Sequence, residues 1–201
     1  FVFDDIINIV TNPVVTRPSL TPGWFGEIFN STMGGPLGRP LAYLSFGFNY
    51  YLAGGADNAF VFKLTNVLIH ILNSFLVWYL INLLLKNLID TERLRENNAV
   101  RAIPLITALF FAIHPIQLTS VLYVVQRMTS LSTFFVLCGL SVFVRGRSLL
   151  PSTEAYAFLL MVMGLLVGML GLASKENAIM VIPLAIIIEY VVFIRHTLPR
   201  Q

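Results

Sequence analysis

Residues 60–85 read FVFKLTNVLIHILNSFLVWYLINLLL, an apolar run whose only lysine or arginine is Lys63, near its start. A helix rises about 1.5 Å per residue, so roughly 20 apolar residues cross the ~30 Å hydrocarbon core of a bilayer, and this run is long enough. Lys63, Asn66, His70 and Asn73 follow spacings of three, four and three, which places them on one helical stripe. Polar side chains inside a span face protein rather than lipid. The stripe therefore predicts interhelical hydrogen bonding, with a headgroup or ion path as the other reading.

Beyond this run, apolar segments recur at 102–115, 128–144, 155–173 and 178–194, with 58–86 as the full extent of the first. The expected fold is all-α, a polytopic transmembrane helical bundle of about five spanning helices plus interfacial and juxtamembrane helices. Segment 41–55 is aromatic but too short to span comfortably, and Gly54-Gly55 ends it, so it reads as a juxtamembrane or re-entrant helix. Residues 1–40, broken by Pro13, Pro18, Pro22 and Pro36, read as an extracytoplasmic loop in which Trp24, Phe25, Ile28 and Phe29 make a short interfacial helix. The chain begins at Phe1 rather than Met and is read as a fragment lacking an upstream span. Residues 1–201 form a single transmembrane region.

Composition agrees with this reading. Hydrophobic residues make up 57% and charged residues 11%, against roughly 25% charged in a soluble domain. The net charge of +3 comes without a basic run interleaved with aromatics, so no nucleic-acid partner is expected. The single cysteine, Cys138, excludes an intrachain disulfide.

Basic residues accumulate on the cytoplasmic side of membrane proteins. Lys86, Arg93, Arg95, Arg101, Arg145, Arg147, Arg195 and Arg200 sort to one side if the chain crosses an even number of times between Arg101 and Arg145, with its turn near 114–127. The same parity puts Ser174-Lys175-Glu176-Asn177 and the Asp4-Asp5 loop on the opposite side. Asp4, Asp5, Arg17, Arg39, His114, Gln117, Gln126, Arg127, Lys175 and Glu176, remote in sequence, then share one extracytoplasmic face. That face is the candidate active site.

Asp4 and Asp5 stand where the chain meets the bilayer and suit a general base, although paired acids also mark solvated loops. Arg39, Arg127 and Lys175 suit a phosphate or pyrophosphate, Arg by bidentate hydrogen bonds and Lys as a point charge. Each equally suits interfacial snorkelling or ion pairing, and Lys175 beside Glu176 reads as a neutralised pair. His114-Pro115 ends an apolar run beside Gln117, with Gln126 and Arg127 close by in sequence, as a site or as plain interfacial structure. Two carboxylates are too few to argue for a metal. Gly164 and Gly168 form a small-xxx-small pair that favours close helix packing. Asn30-Ser31-Thr32 matches the weak N-glycosylation pattern, while P-loop, dinucleotide, zinc and nucleophile-elbow patterns are absent.

In order, Phe3-Asp4-Asp5 with Asn12-Pro13, Arg39-Pro40-Leu41, His114-Pro115-Ile116-Gln117, Gln126-Arg127 and Ser174-Lys175-Glu176-Asn177 form a string. It resembles the membrane region of the transmembrane and tetratricopeptide-repeat O-mannosyltransferases and their bacterial relatives, in the GT-C class of glycosyltransferases. The resemblance spans nearly the whole chain, although no tetratricopeptide repeat is present and only about half of the family's membrane helices are. It implies the N-terminal part of a GT-C-like fold, with a catalytic carboxylate at Asp4 or Asp5. It also implies transfer of a sugar such as mannose, with inversion, from a polyprenyl-phosphate donor to a protein or glycan hydroxyl. On that reading Arg39, Arg127 and Lys175 face the lipid phosphate, and His114, Gln117, Gln126 and Glu176 contribute donor phosphate or sugar contacts. The implied location is a bacterial inner membrane or the endoplasmic reticulum, with the active face periplasmic or lumenal. No cofactor is certain. A transporter would place its ionisable groups near the midplane on repeated, broken helices, and His70 keeps that alternative open. A membrane anchor or scaffold without chemistry is the other alternative.

Overall fold

The computed structural model describes residues 1, 3–17, 21–31, 38–56, 58–89, 97–150 and 152–194. Arg93, Arg95, Arg195 and Arg200, which contribute to the expected orientation, and Thr32 of the glycosylation pattern lie outside the described residues. Every regular element among the described residues is helical.

The described residues of the first segment, expected to be a loop holding one short helix at Trp24, Phe25, Ile28 and Phe29, form that helix and two further short helical turns. A π-helical turn at Ile6–Val10 leads to α1 (Pro13–Thr16) and α2 (Pro22–Asn30). Of the prolines read as loop punctuation, Pro13 and Pro22 sit at the first helical position, where a missing N–H costs nothing, and Pro18 and Pro36 lie outside the described residues. The Asn12 side chain accepts from Val14 N–H and Thr21 from Trp24 N–H, so each short helix is capped. Ile9, Val15, Trp24 and Ile28 are buried against Ala42, Tyr43 and Phe46 of α3 (Pro40–Ala53), Phe62 of α4 (Ala59–Leu88), Val124 and Met128. Trp24 Nε1 donates to Val14 O at 2.8 Å. Gly47 makes room for the indole, since a Cβ there would stand 2.5 Å from Trp24 Cζ2.

Helix α3 ends at Gly54 in the left-handed region, φ 72°, with the Gly54 N–H capping the carbonyls of Tyr50 and Tyr51. At 14 residues it is about 21 Å long, short of a crossing. Among the described residues, four helices are long and apolar enough to cross a membrane: Ala59–Leu88, Val124–Leu149, Glu154–Ala173 and Glu176–Ile194. Helix α5 (Asn98–Ile113) with Pro115–Leu122 forms a fifth apolar stretch, bent by 49°. The bend follows from Pro115, because the residue before a proline is pushed to extended backbone and His114 adopts φ −61°, ψ 131°. The chain continues through α6 (Leu118–Leu122) and a 3₁₀ turn at Val124–Gln126 into α7 (Arg127–Leu149).

Helix α7 is the central one: 56% of its most apolar window is buried within the protein, against 22% for each of the other three long spans. It packs closely on α8 (Glu154–Leu170) because both supply glycines at the crossing. A Cβ at Gly139 would stand 2.5 Å from the Gly164 carbonyl oxygen and 2.6 Å from Gly168 N. The small-residue pair thus packs helix on helix. The last span holds a 3₁₀ turn at Glu176–Met180, α9 (Val181–Ile188) and a π-helical end at Glu189–Ile194.

The outer faces carry exposed apolar side chains, among them Leu68, Ile71 and Phe75 of α4, Phe110 of α5, Leu159 and Leu166 of α8, and Ile186 of α9. This continuous apolar exterior is what lipid contact demands. The polar stripe of α4 turns inward. Asn66 Nδ2 donates to Tyr123 O at 3.0 Å, and Asn73 Nδ2 to Ser130 O at 2.9 Å. His70 Nε2 donates to Ala112 O at 2.9 Å. These bonds fulfil the interhelical reading for Asn66, His70 and Asn73, while Lys63 is exposed.

Candidate active site

The site is built around the start of α7. Asp4 and Asp5, adjacent in sequence, have opposite environments. Asp5 is 1% exposed, and its Oδ1 accepts the Val125 N–H at 2.7 Å, in the turn that opens the α7 span. A carboxylate there meets unpaired N–H groups and the positive end of the helix dipole. Asp4 is exposed, with its backbone carbonyl accepting from Asn8 Nδ2 at 2.9 Å. Asn8 is held in turn by Tyr43, whose hydroxyl donates to Asn8 Oδ1 at 2.9 Å. Burial raises the Tyr43 pKa, partly offset by the charge of Arg39, and so keeps the hydroxyl a donor.

Arg39 lies one helical turn before Tyr43, in the left-handed region at φ 50° and directly ahead of Pro40. Its guanidinium donates to both carboxylate oxygens of Glu176 at 3.1 Å and to Met128 Sδ at 3.3 Å. Its buried Nε has no hydrogen-bond partner. This pair joins α3 to the last span across 137 residues. The Glu176 side chain is 43% exposed, so the pair is accessible from outside the protein.

The Glu176 carboxylate is favoured by its own backbone N–H, by Arg39 and by the charge of Lys175, while Lys175 directs its ammonium to α7. Its Nζ donates to Thr129 Oγ1 at 2.8 Å, and that hydroxyl donates to Gln126 Oε1 at 3.0 Å. The Lys175 carbonyl accepts from Ser132 Oγ at 3.4 Å. Asp5, Arg39, Gln126, Lys175 and Glu176 therefore converge on the first turns of α7, as the shared-face reading expects.

Arg127 departs from that expectation and faces inward. It is fully buried, with Nε donating to Asn66 Oδ1 at 2.8 Å, Nη2 to Phe62 O at 2.7 Å and Nη1 to Ser45 O at 3.2 Å. Its guanidinium lies 4.8 Å from the centre of the Phe46 ring. The phosphate-facing role read from sequence does not suit this geometry, because the donors are engaged by α3 and α4. His114 serves the local backbone as well, since its Nδ1 accepts the Ile116 N–H at 3.2 Å and its ring packs against Phe110. Gln117 lines a cavity between α4 and α7 together with His70, Asn73 and Thr129. Arg17 is exposed.

Sequence reasoning missed Asn8, Tyr43 and Thr129. A signal existed for each: Asn8 is four residues after Asp4, Tyr43 four after Arg39, and Thr129 three after Gln126, all same-face spacings on a helix.

The opposite end of the bundle has its own ion pair, Arg147 Nε to Glu189 Oε1 at 2.8 Å, with Arg147 over Phe193 at 4.7 Å. Arg127 and Arg147, on one helix, are separated by about 30 Å at roughly 1.5 Å per residue. That distance matches the hydrocarbon core.

Comparison with known proteins agrees with the motif string. The chain is 31% identical over 206 residues to protein O-mannosyl-transferase TMTC1 of Homo sapiens, covering 94% of the chain and 21% of that protein. It is 26% identical over 195 residues to a protein O-mannosyl-transferase of Caenorhabditis elegans, covering 94% of the chain and 25% of that protein. Against protein O-mannosyl-transferase TMTC4 of Homo sapiens it is 32% identical over 142 residues, covering 68% of the chain and 19% of that protein. No family model and no solved structure matches the chain. The chain spans between about a fifth and a quarter of the length of these curated relatives. It is a multi-pass integral membrane helical bundle that resembles, over nearly its whole length, the membrane region of the transmembrane and tetratricopeptide-repeat O-mannosyltransferases.

Proposed function

We propose that this bundle is part of a glycosyltransferase that moves mannose or a similar sugar from a polyprenyl-phosphate donor to a hydroxyl of a protein or glycan. The transfer takes place on the extracytoplasmic side, periplasmic or lumenal, of a bacterial inner membrane or the endoplasmic reticulum. The observation that carries this reading is the Asp5–Val125 hydrogen bond of 2.7 Å, which holds an acidic pair beside the same helix start that gathers Arg39, Lys175, Glu176 and Gln126. The relatives, protein O-mannosyl-transferases by name, support mannose as the sugar.

The two carboxylates divide the work. Asp4, exposed, takes the proton from the acceptor hydroxyl as its oxygen attacks the anomeric carbon. The bond from that carbon to the phosphate oxygen breaks, the configuration inverts, and the polyprenyl phosphate leaves with the electron pair. Asp5, buried, is a positioning residue that fixes where Asp4 stands. Negative charge grows on the departing phosphate, and Arg39 and Lys175 are the cations placed to meet it. Glu176 holds the Arg39 guanidinium in place until the phosphate arrives, and Gln126 orients Thr129 toward Lys175. His114 acts on the donor through the bent link of Pro115–Leu122 that it shapes, and Arg127 sustains the site by locking α3, α4 and α7 together.

The test is transfer of labelled sugar by the full-length protein in lipid nanodiscs, with polyprenyl-phosphate mannose and an acceptor polypeptide. Appearance of alkali-labile label on the acceptor supports the reading. Its absence with every polyprenyl-phosphate hexose, in protein that is folded, contradicts it.

A further inference from the structure

Between α4, the bent link and α7 lies a cavity of about 230 Å³, lined by His70 and Asn73, Phe111, Gln117 and Ser120, and Thr129. It is smaller than the roughly 300–1,000 Å³ of pockets for drug-sized ligands, which matches a single ring rather than a longer chain. Its walls are amides and hydroxyls, with Phe111 as an aromatic surface and His70 stacked on it at 5.5 Å. No carboxylate, lysine or arginine lines it among the described residues, so neither a cation nor an anion finds a counter-charge there. Asn73 is 2% exposed, its Nδ2 is bonded to Ser130 O at 2.9 Å, and its Oδ1 has no partner. A buried acceptor in a low-dielectric surround calls for a donor.

We propose that this cavity is the pocket for one neutral, polyhydroxylated ring, the hexose of the lipid-linked donor. Hydroxyls that both donate and accept match a wall of amides and hydroxyls, and a sugar's apolar face matches Phe111. The cavity also adjoins the candidate active site, because Thr129, on its wall, accepts from Lys175 Nζ at 2.8 Å. Thr129 stands one helical turn, about 6 Å, beyond Val125, where Asp5 is anchored. The proposal rests on the transferase reading above and adds to it the place where the sugar is recognised.

The experiment measures binding of short-chain polyprenyl-phosphate mannose and of bare polyprenyl phosphate to the full-length protein in nanodiscs. Wild type binds the mannosylated lipid more tightly. Gln117→Leu removes an amide whose side chain makes no hydrogen bond among the described residues, and Ser120→Phe fills the space. Both variants keep the affinity for bare polyprenyl phosphate, keep the melting temperature, and lose the preference for the mannosylated lipid by about tenfold, the worth of one neutral hydrogen bond. Retention of that preference in both variants overturns the sugar pocket while leaving the transferase reading intact, and the cavity is then a site for water. Failure of wild type to bind either lipid overturns the donor reading and the pocket with it.

Discussion

The Asp5 carboxylate accepts the Val125 N–H at 2.7 Å across 120 residues of chain, while Asp4, its immediate neighbour, is exposed. The contact makes the first acidic loop and the opening of the central span one rigid unit. Removing the carboxylate leaves the Val125 N–H without its partner in a part-buried position, at a cost of up to about 1–3 kcal/mol. Asp5→Ala is therefore expected to lower the thermal melting of the full-length protein, measured by a fluorescent thiol or scattering assay. Asp4→Ala is expected to leave the melting temperature within about one degree of wild type, since exposed substitutions usually stay within ±0.5 kcal/mol.

Arg127 supplies hydrogen bonds to Asn66, Phe62 O and Ser45 O from inside the bundle. Arg127→Leu strands those acceptors, with an expected loss of roughly 3–5 kcal/mol and of folded yield in detergent. Arg127→Lys is expected to rescue little, because an ammonium cannot reproduce the fork that reaches three acceptors. Size-exclusion profiles of both variants check this. A well-folded Arg127→Leu protein with only a raised donor KM would restore the phosphate-facing role read from the sequence.

The Arg39–Glu176 pair is half open, with side chains 23% and 43% exposed, and such pairs contribute at most about 1 kcal/mol to stability. Arg39→Ala is expected to fold normally and to weaken donor use about tenfold or more, through both KM and kcat, as loss of a phosphate-facing cation does. Steady-state kinetics with varied polyprenyl-phosphate mannose measure the split. Unchanged kinetics would assign Arg39 to structure alone.

The α7–α8 crossing depends on backbone approach at Gly139 and Gly164. Gly139→Leu is expected to force the helices apart, at about 1–3 kcal/mol or more by overpacking, and to abolish folded protein. Gly26, with nothing within 4 Å of a Cβ, is the matched control and is expected to accept alanine. Expression as a fluorescent fusion, followed by size exclusion, reads both.

Orientation is tested by cysteine labelling in a Cys138→Ser background. Arg145 and Asn177 are both exposed and lie toward opposite ends of the bundle. A cysteine at Asn177 is expected to react with an impermeant maleimide from the extracytoplasmic side, and one at Arg145 only after the membrane is opened. The reverse pattern would invert the topology.

The spans were legible because length and hydrophobicity report lipid contact directly, and the α4 stripe was legible because polar spacing of three and four reports a buried face. Arg39, Gln126, Lys175 and Glu176 were brought together by topology alone, since parity of crossings places span ends on one side. Arg127 was misread for a physical reason. A long cationic side chain at a span end can snorkel outward or fold inward, and its acceptors here are mostly backbone carbonyls of Ser45 and Phe62, which have no sequence signature. In the first segment the helix holding Trp24, Phe25, Ile28 and Phe29 was legible, whereas α1 was hidden because Pro13 acts as a first-turn residue behind the Asn12 cap rather than as a breaker. The division between Asp4 and Asp5 depends on a contact 120 residues away, beyond any local pattern.

The proposed mechanism turns on Asp4 as the general base with Asp5 as its support. The decisive quantity is the rate of labelled mannose transfer from polyprenyl-phosphate mannose by full-length Asp4→Asn protein, at saturating donor and with its melting temperature recorded alongside. The expected result is a loss of about 10² to 10⁴-fold in kcat with the fold and donor binding retained. Wild-type turnover by Asp4→Asn would remove Asp4 as the base and the proposed division of roles with it.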